Sequence, residues 1–169
     1  VVIGMRNIFE FLIIILIAVA ILFLEGNSWL SLPALKALIV AICWVKTVFF
    51  VAEEMIQLRD ATRVNMAYHK FMRMMLVNMF QIVLSFALDY YCLLAIDPGS
   101  YSLTAPLEGV DLLFECLYFS TLNFTFFGYG DMTPQTIPAK LLTMSEISLA
   151  FLTVIFLLSD FISLKESLR

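Results

Sequence analysis

Four long apolar segments limit, more than any other feature, how this chain can fold. They lie at about residues 8–24, 35–51, 74–96 and 139–164, and each is close to the roughly 20 residues that a helix needs to cross a hydrocarbon core about 30 Å thick. The chain is 62% hydrophobic and 14% charged, whereas soluble domains average roughly 45–50% apolar and about 25% charged residues. The sequence therefore predicts an all-α membrane protein with four transmembrane helices and excludes a single soluble core.

The basic residues predict how these spans are oriented. Those that flank the segments are Arg6, Arg59, Arg63, Lys70, Arg73, Lys165 and Arg169. The connections 25–33 and 97–138 contain no Lys or Arg. Because short cytoplasmic connections carry an excess of Lys and Arg, both termini and the connection between the second and third spans are expected to be cytoplasmic. The sequence thus predicts a multi-pass protein of the cell membrane whose connection 97–138 faces outward.

The connection at residues 53–73 is expected to form a basic amphipathic helix. At 100° per residue, its basic side chains share one face, opposite a face of apolar side chains. These basic residues are Arg59, Arg63, Lys70 and Arg73. One interpretation places the helix on the inner leaflet, where it contacts anionic membrane lipids and passes force to the third span. The other is a solvated connector whose charges only set the topology.

The outward connection is too mixed for a spanning helix and too apolar for a plain loop. Residues 111–134 of this connection read DLLFECLYFSTLNFTFFGYGDMTP. Val110 to Asn123 is compatible with a helix, with Asp111 near its start, where a carboxylate suits the helix dipole. At about 1.5 Å per residue this helix reaches only part of the way across the membrane. Irregular backbone follows, which membrane depth tolerates only where protein buries it or water lines it, so a re-entrant pore helix and loop are predicted.

The residues after the short helix suit a filter for cations. Such a filter replaces the hydration shell of an ion with backbone carbonyls aimed at a common axis. Successive carbonyls share one direction only if alternate residues have positive φ, which Gly128 and Gly130 adopt without a steric penalty. Tyr129 can wedge outward against the surrounding helices, and Asp131 can tie the filter to the pore helix. A helix that ends near Asn123 directs its negative dipole end at a central cavity and favours cations there.

The segment Tyr118 to Pro134, YFSTLNFTFFGYGDMTP, resembles the pore signature of the tetrameric potassium channels, whose pattern ends in T-V-G-Y-G-D. The resemblance extends over about residues 74–164. The matching positions are Phe119, Ser120, Thr125, Gly128, Tyr129, Gly130, Asp131 and Pro134. It implies a homotetramer with a carbonyl filter for K⁺, since one chain supplies one quarter of each ring. The implied filter residues are Phe126, Phe127, Gly128, Tyr129 and Gly130, with Thr125 and Asp131 as support.

Three parts of the chain follow from this resemblance. Residues 1–52 would form a peripheral hairpin of two transmembrane helices, residues 53–73 the cytoplasmic linker helix, and residues 74–169 the pore domain. The expected function is passive permeation of K⁺, or of cations more generally, by a fourfold tetramer. A cytoplasmic regulatory partner or domain is left open.

One departure from the family pattern bears on conduction. The Thr-Val of the family is replaced by Phe126-Phe127. The family's threonine lends its hydroxyl to the innermost ion site, which Phe126 cannot do, and four Phe rings could form a constriction that dewets. Phe127 replaces a smaller residue that packs behind the filter. The alternative is therefore a channel-like but non-conducting membrane scaffold or sensor module.

The fourth span carries two further candidate features. An apolar stripe recurs every three or four residues and either lines the pore as a gate or packs on neighbouring helices. Its members are Ile147, Phe151, Val154, Leu158 and Ile162. Intramembrane carboxylates are costly and usually face a bundle interior or water, so Glu146 is expected to pack behind the pore helix and support the filter, bonded to Ser120 or Thr121. The alternative role for Glu146 is that of a proton sensor.

Several functional classes are disfavoured by what the sequence lacks. The first two spans carry no repeated arginines, and steep voltage gating needs several charges because each contributes only about 2.3 kcal/mol per 100 mV. No nucleophile–base set, metal-ligand cluster or phosphate-binding loop is present, so an enzyme is not expected. Neither a cofactor nor a nucleic-acid partner is predicted. A small transporter is disfavoured because no inverted repeat is visible.

Overall fold

A computed structural model describes residues 2–27, 29–64, 68–103, 106–128 and 131–167, with side chains for residues 9–27, 29–60, 69–103, 106–128 and 131–158. This part of the chain is almost entirely helical. Its helices are α1 (Val2–Gly26), α2 (Leu32–Val64), α3 (Tyr68–Ile96), α4 (Gly109–Phe124) and α5 (Ile137–Ser167). A single 3₁₀ turn, Pro98–Ser100, and two short strands, β1 (Tyr101–Ser102) and β2 (Thr133–Pro134), complete it.

Four of these helices contain stretches long and apolar enough to cross a membrane. The stretches are Phe9–Gly26, Leu32–Asp60, His69–Ile96 and Ile137–Leu158. The prediction of an all-α membrane protein with four spans is confirmed. The fifth helix, α4, lies between the last two spans in the chain, as expected for a part-way helix.

The region 53–73, for which a separate linker helix was expected, includes the end of α2 and the start of α3, and the separate helix stays a prediction. Helix α2 continues without a break to Val64, and α3 begins at Tyr68. No Gly or Pro follows Pro33 within α2, so nothing in its sequence interrupts the backbone hydrogen bonds at the membrane boundary. The linker residues that the structure describes are therefore divided between the end of α2 and the start of α3.

The first two spans pack on different partners within the chain. Helix α1 lies against α3 and touches α2 only slightly, whereas α2 packs most extensively on α5 and also contacts α3. Polar side chains on α2 account for this arrangement, because their partners lie on α3 and α5. The Lys46 ammonium lies 2.6 Å from the Asp89 carboxylate of α3, and Thr153 of α5 donates a hydrogen bond of 2.7 Å to Glu54. Helix α2 thus packs within the bundle that it forms with α3 and α5.

A second ion pair joins α2 to the residue that follows the C-terminal end of α3. Lys36 Nζ lies 2.5 Å from Asp97 Oδ2, and both side chains are 22% exposed. The hydrogen bond from Lys36 lowers the pKa of the Asp97 carboxyl group below its ordinary value. The two ion pairs therefore attach α2 to α3 at two depths.

Two short strands join the segment after α3 to the segment before α5. Strands β1 and β2 pair antiparallel, with Tyr101 opposite Pro134, and the Ser102 and Thr133 hydroxyls lie 2.6 Å apart. The backbone N–H of Gln135 donates to the Ser100 carbonyl at 2.8 Å. This contact fixes the return from the pore loop to α5.

Candidate pore loop

Helix α4 is too short to span a membrane. Its 16 residues extend about 24 Å at 1.5 Å per residue, less than a hydrocarbon core of about 30 Å. Its first turn contains Asp111, where a carboxylate interacts favourably with the helix dipole. One face of α4 is buried within the chain and consists of Leu112, Cys116, Phe119, Ser120, Asn123 and Phe124.

Three aromatic rings hold this buried face. Phe119 of α4, Tyr90 of α3 and Tyr101 of β1 form a mutually edge-to-face cluster, with ring centroids 5.1 to 5.7 Å apart. Such pairs contribute about 0.5–1.5 kcal/mol each beyond the area that they bury. The Tyr101 hydroxyl also donates to the Ala139 carbonyl of α5 at 3.0 Å. The cluster thus joins both flanking spans to α4.

The C-terminus of α4 closes in a Schellman motif. The backbone N–H of Phe127 donates to the Leu122 carbonyl at 3.0 Å, and that of Phe126 donates to the Asn123 carbonyl at 3.2 Å. This pattern places Phe126 at the position after the C-cap, which usually holds glycine because its φ is positive. Phe126 has a φ of 60°, a conformation that costs a residue with a Cβ atom roughly 1–2 kcal/mol.

Positive φ recurs two residues later. Gly128 has a φ of 59°, and Phe127 between them is not in the left-handed region. Positive φ at Gly128 was expected from its missing Cβ atom, whereas at Phe126 it was not, because the sequence signal for this conformation is glycine. Tyr129 and Gly130 lie outside the described residues, so their predicted positions in the filter stay predictions.

The loop residues are largely exposed in the single chain. The side chains of Phe126 and Phe127 are 49% and 73% exposed, and Thr125 is exposed as well. The Thr125 hydroxyl donates to the Thr121 carbonyl at 2.8 Å. Asp131 is exposed and, among the described residues, has no hydrogen bond to α4. Its predicted tie to the pore helix stays a prediction.

Glu146 of α5 lies behind the end of α4 and is completely buried. Its carboxylate accepts hydrogen bonds from the Tyr90 hydroxyl at 2.5 Å and from Asn123 Nδ2 at 3.2 Å, and it also contacts the Ser120 hydroxyl. The other candidate partner, Thr121, donates instead to the Leu117 carbonyl at 2.8 Å. The structure therefore brings α3, α4 and α5 together at one carboxylate.

Two members of this network, Tyr90 and Asn123, were not predicted from the sequence. Tyr90 looks like an ordinary aromatic residue of an apolar span, and Asn123 looks like a helix-terminating residue. The sequence signal for them was weak: both side chains can form hydrogen bonds, and the intramembrane carboxylate of Glu146 needs partners. Since buried carboxylates need partners, such side chains were the candidates.

The apolar stripe of α5 occupies the face that the rest of the chain leaves uncovered. Ile147, Phe151 and Leu158 are 40%, 58% and 57% exposed, and Val154 is half-buried. The side chain of Ile162 lies outside the described part. The opposite face of α5, which includes Glu146, is buried within the chain. The stripe is thus available to line a pore or to contact another subunit or lipid.

The basic residues of the linker lie in the last turns of α2 and the first turns of α3. Arg59, Lys70 and Arg73 are exposed. Arg63 belongs to α2, but its side chain lies outside the described part. Among the described residues, no group of three or more His, Cys, Asp or Glu side chains could hold a metal ion.

These features define a class of protein: a multi-pass α-helical membrane protein in which a short helix and an irregular loop separate the last two spans. Over residues 76–166, more than half of the chain, the sequence matches the ion channel family. The chain belongs to this family. Comparisons with curated proteins and with solved structures gave no match.

Proposed function

We propose that the chain is one subunit of a homotetrameric channel of the cell membrane that conducts K⁺ selectively and has both termini in the cytoplasm. The observation that supports this most is the alternation of φ after α4, with 60° at Phe126 and 59° at Gly128. Left-handed residues at every second position turn successive carbonyls to one side of the chain. Four such chains around an axis would offer rings of oxygens in place of water.

The surface of α4 and of the loop supports an assembly of several subunits. Large apolar side chains are exposed there in the single chain: Val110 is 80%, Phe114 67% and Phe127 73% exposed. In a membrane protein such side chains contact either lipid or other subunits. In the proposed tetramer, neighbouring pore domains cover part of it, and the C-terminal end of each α4 directs its partial negative charge towards the axis.

A second candidate function is a non-conducting, channel-like scaffold or sensor module, and Phe126 favours it. Its half-exposed ring occupies the position where a threonine hydroxyl would reach the innermost ion. The two functions differ in flux through the purified protein. In liposomes, a K⁺-selective channel would carry a larger cation flux in a K⁺ gradient than in a Na⁺ gradient. A scaffold would carry no flux in either gradient.

Two glycine variants make this experiment specific to the loop. Gly128→Ala adds a Cβ atom at positive φ, where open space surrounds it, so the substitution strains the backbone alone. Gly99→Ala adds the same atom in the outer loop at ordinary contact distance from Asp97. We expect Gly128→Ala to abolish K⁺-selective flux and Gly99→Ala to preserve it. Equal flux in both variants would contradict a filter at Gly128.

We further propose that anionic lipids support the channel through the exposed basic residues Arg59, Lys70 and Arg73. Each basic residue near an anionic surface contributes about 1 kcal/mol of attraction. Flux in liposomes with and without anionic lipid tests this role. If flux does not depend on anionic lipid, the basic residues serve only to set the orientation of the chain in the membrane.

A further inference from the structure

The hydrogen bonds at the end of α4 connect the buried carboxylate of Glu146 to the backbone of Phe126 through one residue, Asn123. The Asn123 side chain donates from Nδ2 to Glu146 Oε2 at 3.2 Å and lies 3.5 Å from the Tyr90 hydroxyl. The backbone carbonyl of the same residue accepts the Phe126 N–H at 3.2 Å. Asn123 is 7% exposed and Glu146 and Tyr90 are 0% exposed, so water does not compete for the hydrogen bonds of the Asn123 side chain.

The positive φ of Phe126 requires support from hydrogen bonds of this kind. A bulky residue with positive φ is a backbone outlier, and it persists only where the surroundings fix the local structure in more than one way. The last turn of α4 is fixed from behind at two points, Ser120 and Asn123, which lie three residues apart on one face. Both contact Glu146. The orientation of the Asn123 carbonyl is thereby set by a group on α5.

We infer that Asn123 is a positioning residue for ion selection: anchored by Glu146 and Tyr90, it holds Phe126 in the left-handed conformation that directs the first filter carbonyl at the pore axis. This inference rests on the proposed function, because it assigns the discrimination between K⁺ and Na⁺ in part to side chains that never touch the ion. Loss of the Asn123 amide would free the last turn, and Phe126 would relax towards negative φ. Its carbonyl would then leave the ring.

The test is Asn123→Leu, which keeps the size of the side chain and removes its amide while Tyr90 and Ser120 still contact Glu146. The matched control is Asn78→Leu. Asn78 is a buried amide of α3 that donates to Gln57 at 2.6 Å, far along the chain from the loop. We expect the ratio of K⁺ to Na⁺ flux to fall by about tenfold in Asn123→Leu, because this variant loses roughly one buried hydrogen bond. The ratio should stay unchanged in Asn78→Leu.

A rescue variant separates positioning from general stability. Glycine adopts positive φ without a steric penalty, so Asn123→Leu combined with Phe126→Gly should recover a K⁺ to Na⁺ ratio close to that of Phe126→Gly alone. A variant that had merely lost stability would not recover in this way. An unchanged ratio in Asn123→Leu, or no recovery in the double variant, would overturn the inference.

Amide hydrogen exchange decides the inference independently of conduction. In Asn123→Leu, the Phe126 and Phe127 amides should exchange about tenfold faster, and in Asn78→Leu they should exchange as in the unmodified chain. If the unmodified chain carries no K⁺-selective flux, the proposed function fails, while the exchange rates still show whether Asn123 positions the loop. Unaltered exchange in Asn123→Leu would reject the positioning role even in a conducting channel.

Discussion

Phe126 has a backbone conformation and a side-chain position that would both suit a smaller residue better. Its backbone adopts the left-handed conformation that a Schellman motif usually assigns to glycine, and its ring is half-exposed beside the proposed filter. The positive φ could not be predicted from the sequence, since glycine is the sequence signal for it. What was predictable was the chemistry of the side chain: compared with the threonine of the family pattern, Phe126 lacks a hydroxyl and adds an apolar ring to the proposed filter.

Replacing Phe126 by threonine tests that consequence. Phe126→Thr removes the ring that could close the pore by dewetting and supplies a hydroxyl to the innermost ion site. We expect higher K⁺ flux in liposomes than for the unmodified chain. Unchanged or lower flux would reject the constriction at Phe126. Phe127→Val, which trims the neighbouring ring without adding a hydroxyl, is the control for a general loss of aromatic bulk.

At the scale of the helices, α2 shows which properties can be predicted from local sequence. The apolar span within it was predictable, because composition is a local property, but its continuation to Val64 was not expected. The packing of α2 on α5 was not predictable, because it depends on pairs far apart in the chain, such as Lys46 with Asp89 and Glu54 with Thr153. A hydrophobic pattern that predicts a membrane span does not predict which helices the span packs against.

The Lys46–Asp89 pair gives a prediction about the stability of the helix bundle. The two side chains are only 12% and 4% exposed, so Lys46→Met would leave Asp89 as an unpaired buried charge and lower the free energy of unfolding by about 3–5 kcal/mol. Combining Lys46→Met with Asp89→Leu should recover most of this loss. Unfolding in detergent measures both. Lys36→Met, at the partly exposed pair, is the control and should cost about 1 kcal/mol or less.

A double variant as unstable as Lys46→Met alone would contradict the pairing of these two charges. It would mean that the position of α2 depends on the lysine itself, through its aliphatic chain, and not on the compensation of the Asp89 charge.

The Lys36–Asp97 pair, near the C-terminal end of α3, predicts that the free energy of unfolding depends on pH. The hydrogen bond from Lys36 lowers the pKa of Asp97 below its ordinary value of 3.8. Because the folded-state pKa is depressed, the pair's contribution to stability is fully present above that ordinary value and is lost as the pH falls through the lowered folded value. The stability difference between the unmodified chain and Lys36→Met should therefore be present above the ordinary pKa and shrink below it. A difference that does not change with pH would exclude the ion pair as its cause.

For the whole molecule, the sequence was most informative about the pore region. Chain-local patterns identified the last two spans, the short helix and the irregular loop, and the match to the ion channel family covers the same region. The network at Glu146 was predictable only in part, because an intramembrane carboxylate requires partners but does not identify them. Ser120 was among the two candidates considered, whereas Tyr90 and Asn123 are brought to Glu146 by the packing of three helices.

The proposed assembly of four chains can be tested by an electron cryomicroscopy map of the purified protein in K⁺. We expect a fourfold particle in which the segments 126–130 of four chains surround the axis, with density for ions along it. Segments 126–130 that face lipid, or that lie within separate bundles away from a shared axis, would contradict it.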